Sequence, residues 1–87
     1  MSQQVNKNIV SRLPLTHTES VIRKIWMDVL QKDNIRPEDN FFELGGDSMM
    51  TMMVLFQVKD TLHVELPPDA MFEAPTLREF CLVIDGM

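Results

Sequence analysis

The sequence predicts an all-α domain, a small bundle of three to four helices with a long loop between the first and the second. Apolar residues recur three and four positions apart in three separate stretches, which is the period of a helix packed on one side. Prolines, glycines and turn-forming residues separate these stretches. A chain of 87 residues forms one such domain, and its core is thin.

The first helix is predicted to begin near Thr16 and to end near Leu30. Thr16 and Glu19 have the spacing of a capping box, in which each side chain accepts a hydrogen bond from the other residue's backbone N–H. The apolar stripe that follows comprises Val21, Ile22, Ile25, Trp26, Val29 and Leu30. Residues 1–14 are polar and lack a sustained period, so we expect a flexible N-terminal tail and a folded domain over residues 15–87.

Turn-forming residues then predict a loop from Gln31 to Asp47. A connection of this length in a small domain is usually functional or is held in place by its own side chains. The apolar candidates for holding it are Ile35, Phe41, Phe42 and Leu44. We expect at least one of the two phenylalanines to be buried, since exposing both would be costly.

The second helix is predicted from Ser48 to about Leu62, and it has apolar residues on two sides. One side, which the bundle is expected to bury, comprises Thr51, Val54, Leu55, Val58 and Leu62. The opposite side comprises Met49, Met52, Met53 and Phe56, interrupted by Lys59 and Asp60. Because a thin bundle cannot cover both sides, the second is a candidate docking surface, although core filling by methionine remains an open alternative.

Two shorter elements follow Pro67-Pro68. A single helical turn is predicted around Asp69–Phe72, and Thr76 with Glu79 repeats the capping-box spacing at the start of a last helix. The predicted apolar face of that helix comprises Leu77, Phe80, Cys81, Val83 and Ile84, and Gly86 is placed to end it. Cys81 is interpreted as a small core residue without a reactive thiol.

Composition excludes several classes of function. The formal net charge of −5 makes nucleic acid and anionic membranes poor partners and favours partners with basic docking surfaces. The single cysteine excludes an intrachain disulfide, and the sequence lacks Cys/His metal-ligand spacing. No apolar run approaches the roughly 20 residues that span a bilayer, and the amino terminus is polar. We therefore expect a cytoplasmic monomer.

The run Gly45-Gly46-Asp47-Ser48 lies where the long loop gives way to the second helix. Its serine is either a helix cap or a place of covalent attachment, since a helix start favours a bound phosphate. A hydrolase nucleophile would need glycine where Met50 stands and a histidine base, which this chain does not supply. No lysine follows in the manner of a P-loop.

Residues 41–48, Phe-Phe-Glu-Leu-Gly-Gly-Asp-Ser, resemble the core motif of phosphopantetheine carrier domains, in the form typical of peptidyl carrier proteins from nonribosomal peptide synthetases. The resemblance extends over residues 15–84. It includes Ile25-Trp26 and Val29-Leu30 in the first helix, and Phe72-Glu73-Ala74-Pro75-Thr76-Leu77 before the last. One departure is Met49, where the family most often has leucine.

The resemblance implies that Ser48 accepts 4′-phosphopantetheine from coenzyme A through a separate phosphopantetheinyl transferase, with Asp47 and Gly46 forming the rest of the attachment site. The terminal thiol then carries an aminoacyl, peptidyl or related acyl group as a thioester, and the domain itself catalyses nothing. Expected partners are an adenylation or acyl-ligase enzyme and a condensation, thioesterase or other tailoring enzyme. The residues expected to contact them are Met49, Met52, Met53, Phe56, Met71 and Phe72.

Three alternatives remain open at this point. The nearest is an acyl carrier protein of polyketide or fatty-acid synthesis. Another is an unmodified helical module that binds a partner through its methionines, and the third is an enzyme. Because 87 residues leave no room for an adenylation or condensation domain, we expect a free-standing carrier.

Overall fold

The structure, a computed structural model, describes residues 17–86. The predicted tail and Thr16 of the first predicted capping box lie outside this range. The described residues form four helices: α1 (His17–Leu30), α2 (Ser48–Leu62), α3 (Ala70–Glu73) and α4 (Leu77–Asp85). The all-α prediction is confirmed. None of the helices within 17–86 is long and apolar enough to cross a membrane.

Helix α1 packs against both α2 and α4, and the core lies between these three helices. Trp26 of α1 is fully buried at the centre of this core. Its ring packs against that of Phe41, with centroids 5.0 Å apart and planes 69° from parallel, and against that of Phe80 of α4, with centroids 6.1 Å apart. Trp26 therefore joins the long loop to two of the main helices.

The long loop is held by its apolar residues, as predicted. Ile35 and Phe41 are buried, and Phe42 and Leu44 pack against the core in part. Backbone hydrogen bonds then fasten the loop to the start of α4: the N–H of Phe41 donates to the carbonyl of Pro75 at 2.8 Å, and that of Arg78 to Pro37 at 2.8 Å. The beginning of α2 is consequently fixed by contacts with the far end of the chain.

The segment between α2 and α3 begins at His63, which ends α2 in the left-handed conformation with φ of 60°. Residues 63–67 have no regular structure. An ion pair of 2.7 Å between Lys59 and Glu65 links this segment back to α2, although both side chains are exposed. Each pKa of the pair is shifted toward the charged form by their mutual hydrogen bond and charge attraction, upward for Lys59 and downward for Glu65.

Helix α4 begins with the predicted capping box. Thr76 Oγ1 accepts from the N–H of Glu79 at 3.1 Å, and Glu79 Oε1 accepts from that of Thr76 at 3.2 Å. The prediction that Val83 belongs to the buried face is wrong, because this side chain is 42% exposed. At about 100° per residue, Val83 lies well outside the stripe that ends at Ile84.

Candidate functional site

The two glycines before α2 serve different purposes. Gly45 has φ of +106°, which is a conformation that side chains rarely allow. Gly46 is needed for space, because a Cβ there would overlap Cε2 and Cδ2 of Phe41 and lie 2.9 Å from the Phe41 carbonyl oxygen. The N–H of Gly46 also donates to that carbonyl at 3.0 Å. Gly45 and Gly46 thus allow the end of the loop to pack closely against Phe41.

Asp47 is the N-cap of α2. Its backbone is extended, and its Oδ1 accepts from the N–H of Met50 at 2.9 Å. The carbonyl of Asp47 accepts from the N–H of Thr51 at 3.0 Å. The sequence left open whether Ser48 caps this helix, and the structure assigns the cap to the residue before it.

Ser48 is the first residue of α2, and it is exposed. Its carbonyl accepts a 2.6 Å hydrogen bond from Thr51 Oγ1, which lies in the core. Within the part of the chain that the structure describes, no hydrogen bond engages the Ser48 hydroxyl. The backbone of Ser48 is therefore held by a buried side chain, while the residue itself is exposed on a surface that another protein can reach.

The start of α2 suits a phosphate ester on this hydroxyl. In a helix of 15 residues the positive end of the backbone dipole lies at the first turn and favours an anion there. Among the described residues, the cap takes up the N–H of Met50, and no hydrogen bond uses the N–H of Ser48 or Met49. These features fit 4′-phosphopantetheine, which would be held through its phosphate by Ser48.

A methionine face lies beside Ser48, comprising Met49, Met52, Met53 and Phe56. These side chains are 74%, 53%, 47% and 71% exposed. Helix α2 also has no charged residue before Lys59, so this surface is uncharged as well as apolar. The face that the bundle was expected to leave uncovered is therefore in solvent and directly follows the serine.

The two docking residues predicted on α3 differ in exposure. Phe72 is 52% exposed, whereas Met71 is fully buried, so the expectation that Met71 presents its side chain to partners is wrong. The reason is that α3 is a single turn against the core, where adjacent side chains point to different sides. The Phe72 ring stacks on Phe42 of the long loop with centroids 4.9 Å apart and planes 16° from parallel.

Sequence reasoning missed two features of the site. At least one of Phe41 and Phe42 was predicted to be buried, but the role of Phe41 as the surface against which Gly46 lies was not recognised. A groove of about 560 Å³ between α2 and the segment before α3 was also missed. The groove is lined in part by Met52, Phe56 and Pro67. One wall of the groove is formed by the segment that ends in Pro67-Pro68, and the proline pair could have indicated it. The other wall is α2, and its position could not be predicted without knowing how α2 packs.

Three features occur together in this small helical bundle: an exposed serine at a helix start, a hydroxyl on that serine without a hydrogen bond in the described residues, and an uncharged apolar surface beside it. This combination is typical of carrier domains, which hold a covalent group and present it to other proteins. The sequence model for the phosphopantetheine attachment site matches residues 20–84. The chain belongs to the phosphopantetheine attachment-site family.

Known relatives and solved structures agree with this assignment. Tyrocidine synthase 3 from Brevibacillus parabrevis is 44% identical over 66 residues, which are 76% of this chain and 1% of that protein. The large subunit of L-2-aminoadipate reductase from Candida glabrata is 42% identical over 71 residues, 79% of this chain and 5% of that protein. The chain therefore spans only a small part of the length of these relatives.

A chain in the solved structure of the phosphopantetheine transferase Sfp in complex with coenzyme A and a peptidyl carrier protein superposes with a TM-score of 0.80. It is 34% identical, and the match covers 85% of this chain and 96% of that one. The similarity thus extends over nearly the whole of a solved carrier-sized chain, which confirms the predicted bundle.

Proposed function

We propose that Ser48 is the attachment point of 4′-phosphopantetheine and that the chain carries an aminoacyl, peptidyl or related acyl group for enzymes of nonribosomal peptide synthesis. The observation that carries this proposal is the unengaged, exposed hydroxyl of Ser48 at the start of α2, next to a cap supplied by Asp47. Esterification of that hydroxyl breaks no hydrogen bond within residues 17–86, so we expect the domain to keep its structure when it is loaded.

Attachment requires one bond to form and one to break. Ser48 Oγ bonds to the phosphorus that bears pantetheine in coenzyme A, the bond from that phosphorus to adenosine 3′,5′-bisphosphate breaks, and the hydroxyl proton leaves to a base of the transferase. His63 is not placed to act as this base, since it lies at the opposite end of α2, about 20 Å away along the helix. The attached group supplies a thiol that holds the acyl group as a thioester.

The chain itself catalyses no step in this proposal. Asp47 holds the start of α2 in shape and contributes to recognition by the phosphopantetheinyl transferase. The methionine face and Phe72 contact the partners one after another: first that transferase, then an adenylation or acyl-ligase enzyme, and then a condensation, thioesterase or tailoring enzyme. A monomer suits this use, because a second copy on the same face would cover it.

The direct test is modification by a purified phosphopantetheinyl transferase with coenzyme A, followed by intact-mass measurement. We expect the chain to gain one phosphopantetheine and Ser48→Ala to gain none. Ser20→Ala, which removes an exposed serine of α1, is the matched control and keeps the modification. An unmodified wild-type chain beside a modified control carrier would refute the assignment of Ser48.

A second candidate function is that of a carrier whose acyl group is reduced instead of being joined to another amino acid. It is favoured by the similarity to the aminoadipate reductase subunit, whose identity nearly equals that of the tyrocidine synthase. The acyl group on the chain recovered from the cells that produce it, and the form in which that group is released, distinguish the two. A peptidyl group, or an amino-acid group released as an amide, supports peptide synthesis. An amino-acid group released as an aldehyde or alcohol supports reduction, and a fatty or ketide chain would contradict both.

A further inference from the structure

The six methionines among residues 17–86 differ in burial. Met49, Met52 and Met53 lie exposed within two turns of α2, whereas Met71 is fully buried and Met27 and Met50 are partly covered. Oxidation of a methionine thioether needs contact with the oxidant, so it follows exposure. Among these six, the three exposed thioethers are therefore the ones that an oxidant in solution reaches first.

The cysteine does not compete for the oxidant. Cys81 is buried between α1 and α4. Burial, together with the nearby carboxylates of Glu19 and Asp85, raises the pKa of its thiol to about 12. Peroxides react with the thiolate, which is scarce here at neutral pH.

We propose that Met49, Met52 and Met53 form a site of reversible oxidation that turns the methionine face off as a docking surface. In the step, a thioether sulfur takes one oxygen atom from hydrogen peroxide, the O–O bond breaks and water leaves. The sulfur is oxidised and the peroxide is reduced. The product, methionine sulfoxide, is returned to methionine by the two methionine sulfoxide reductases, each acting on one sulfoxide epimer. A dithiol reductant supplies the two electrons and becomes a disulfide, and the oxygen atom leaves as water.

The consequence for docking rests on the proposed function. An apolar thioether becomes a polar sulfoxide, so a partner that buries it must remove water from a strong hydrogen-bond acceptor. The four side chains of the face carry no charge that could offset this cost, and Lys59, which adjoins Met52 and Phe56, is paired with Glu65. Because the three side chains make little contact with the core, oxidation leaves the bundle folded and changes only what a partner meets.

The test uses the chain before it is loaded, so that the pantetheine thiol is absent during oxidation. Hydrogen peroxide is applied and then removed with catalase, and peptide mass spectrometry locates the added oxygen atoms. The chain is next used as substrate for a purified phosphopantetheinyl transferase with coenzyme A. We expect oxygen at the three exposed methionines and not at Met71, and a KM for the chain raised by about tenfold for each buried methionine contact that is lost.

Two controls separate oxidation of the face from general damage. The variant with leucine at positions 49, 52 and 53 keeps volume and helix preference but has no thioether there, so peroxide leaves its own KM unchanged. Treatment of the oxidised wild-type chain with both sulfoxide reductases restores its KM. The melting temperature of the wild-type chain stays the same throughout.

Oxygen found equally at Met71 would overturn the proposed site, and an unchanged KM after full oxidation of the three methionines would overturn the switch. Failure of the proposed function looks different, because then the untreated chain accepts no phosphopantetheine at all. In that case the peptide masses still decide whether the face is the oxidised site.

Discussion

Gly46 lies directly against Phe41, with its N–H 3.0 Å from the Phe41 carbonyl oxygen and no room for a Cβ beside the ring. The same ring packs against the ring of Trp26 at the centre of the core, with centroids 5.0 Å apart. The start of α2 is thus positioned by a chain of contacts from Trp26 through Phe41 to Gly46, two residues before Ser48. Five predictions follow from the contacts around this serine, from the two classes of methionine and from the buried thiol.

Replacing Gly46 with alanine should destabilise the domain. The new Cβ forces the ring or the backbone of Phe41 to move, and such overpacking costs about 1–3 kcal/mol in the free energy of unfolding. Urea denaturation followed by Trp26 fluorescence measures this directly. The displaced start of α2 should also slow modification of Ser48, so a variant with wild-type stability and wild-type modification would show that the contact is not tight.

Gly45→Ala separates backbone conformation from space. No atom lies within 4 Å of a Cβ at this position, but φ of +106° is unfavourable for alanine. The expected cost is about 1–2 kcal/mol and comes only from backbone strain. Because Phe41 is not displaced, the fluorescence of folded Trp26 should match that of the wild type, unlike that of Gly46→Ala; identical spectra of the two variants would count against the steric argument.

Asp47 should contribute to stability through its oxygen rather than its charge. Asp47→Ala removes the acceptor for the N–H of Met50 and should cost about 1 kcal/mol. Asp47→Asn keeps an acceptor and should stay within about 0.5 kcal/mol of the wild type. If both variants retain stability but lose modification, Asp47 acts on the transferase alone, and its assignment as the cap that matters for folding is wrong.

The methionines of α2 and α3 should respond in opposite ways. Met52→Glu places a charge on the methionine face, so it should impair modification and acyl loading while changing the free energy of unfolding by no more than about 0.5 kcal/mol. Met71→Ala empties a core position and should cost about 2–5 kcal/mol.

Leu82→Glu is the matched control for the charge. Leu82 is exposed on α4, and the substitution should change neither stability nor loading. Equal loss of loading in Met52→Glu and Leu82→Glu would mean that added negative charge, and not the methionine face, is responsible. Binding of a partner that survives Ser48→Ala and is lost in Met52→Glu would instead support an unmodified interaction module.

The Cys81 thiol should make stability depend on pH in the alkaline range. Its pKa is raised to about 12 in the folded domain from an ordinary 9.0, chiefly by burial. Below pH 9 both states hold the proton and stability is unaffected. Between pH 9 and about 12 the unfolded chain loses the proton while the folded one keeps it, so stability should fall by up to about 1.4 kcal/mol per pH unit.

Cys81→Ala isolates this contribution from that of the lysines, which titrate in the same range. The comparison is between the slopes of the free energy of unfolding against pH, since the variant also leaves a small cavity. The wild-type slope should be the more negative of the two. Equal slopes would show that the thiol ionises as easily in the folded domain as in the unfolded chain.

Local features of the fold were accessible from sequence because they depend on residues a few positions apart. The capping box of Thr76 and Glu79 and the apolar period of α1 both follow from such spacing, and both are present. The start of α2 at Ser48 was likewise predicted from the Gly-Gly-Asp-Ser run. The predicted apolar face of α4 was wrong at Val83. A helix of nine residues contains too few turns for the spacing of its apolar residues to define the edges of the buried face.

The sequence alone determined the helical class, the motif that ends in Ser48 and the presence of two apolar sides on α2. Tertiary structure decided that Met71 enters the core while Phe72 stays outside, and that Gly46 is needed because Phe41 occupies the space beside it. The physical reason is the separation along the chain between the residues that interact. Caps and helical periods arise between neighbours in the chain, whereas burial and steric exclusion depend on residues that meet only after the loop has folded back onto the helices.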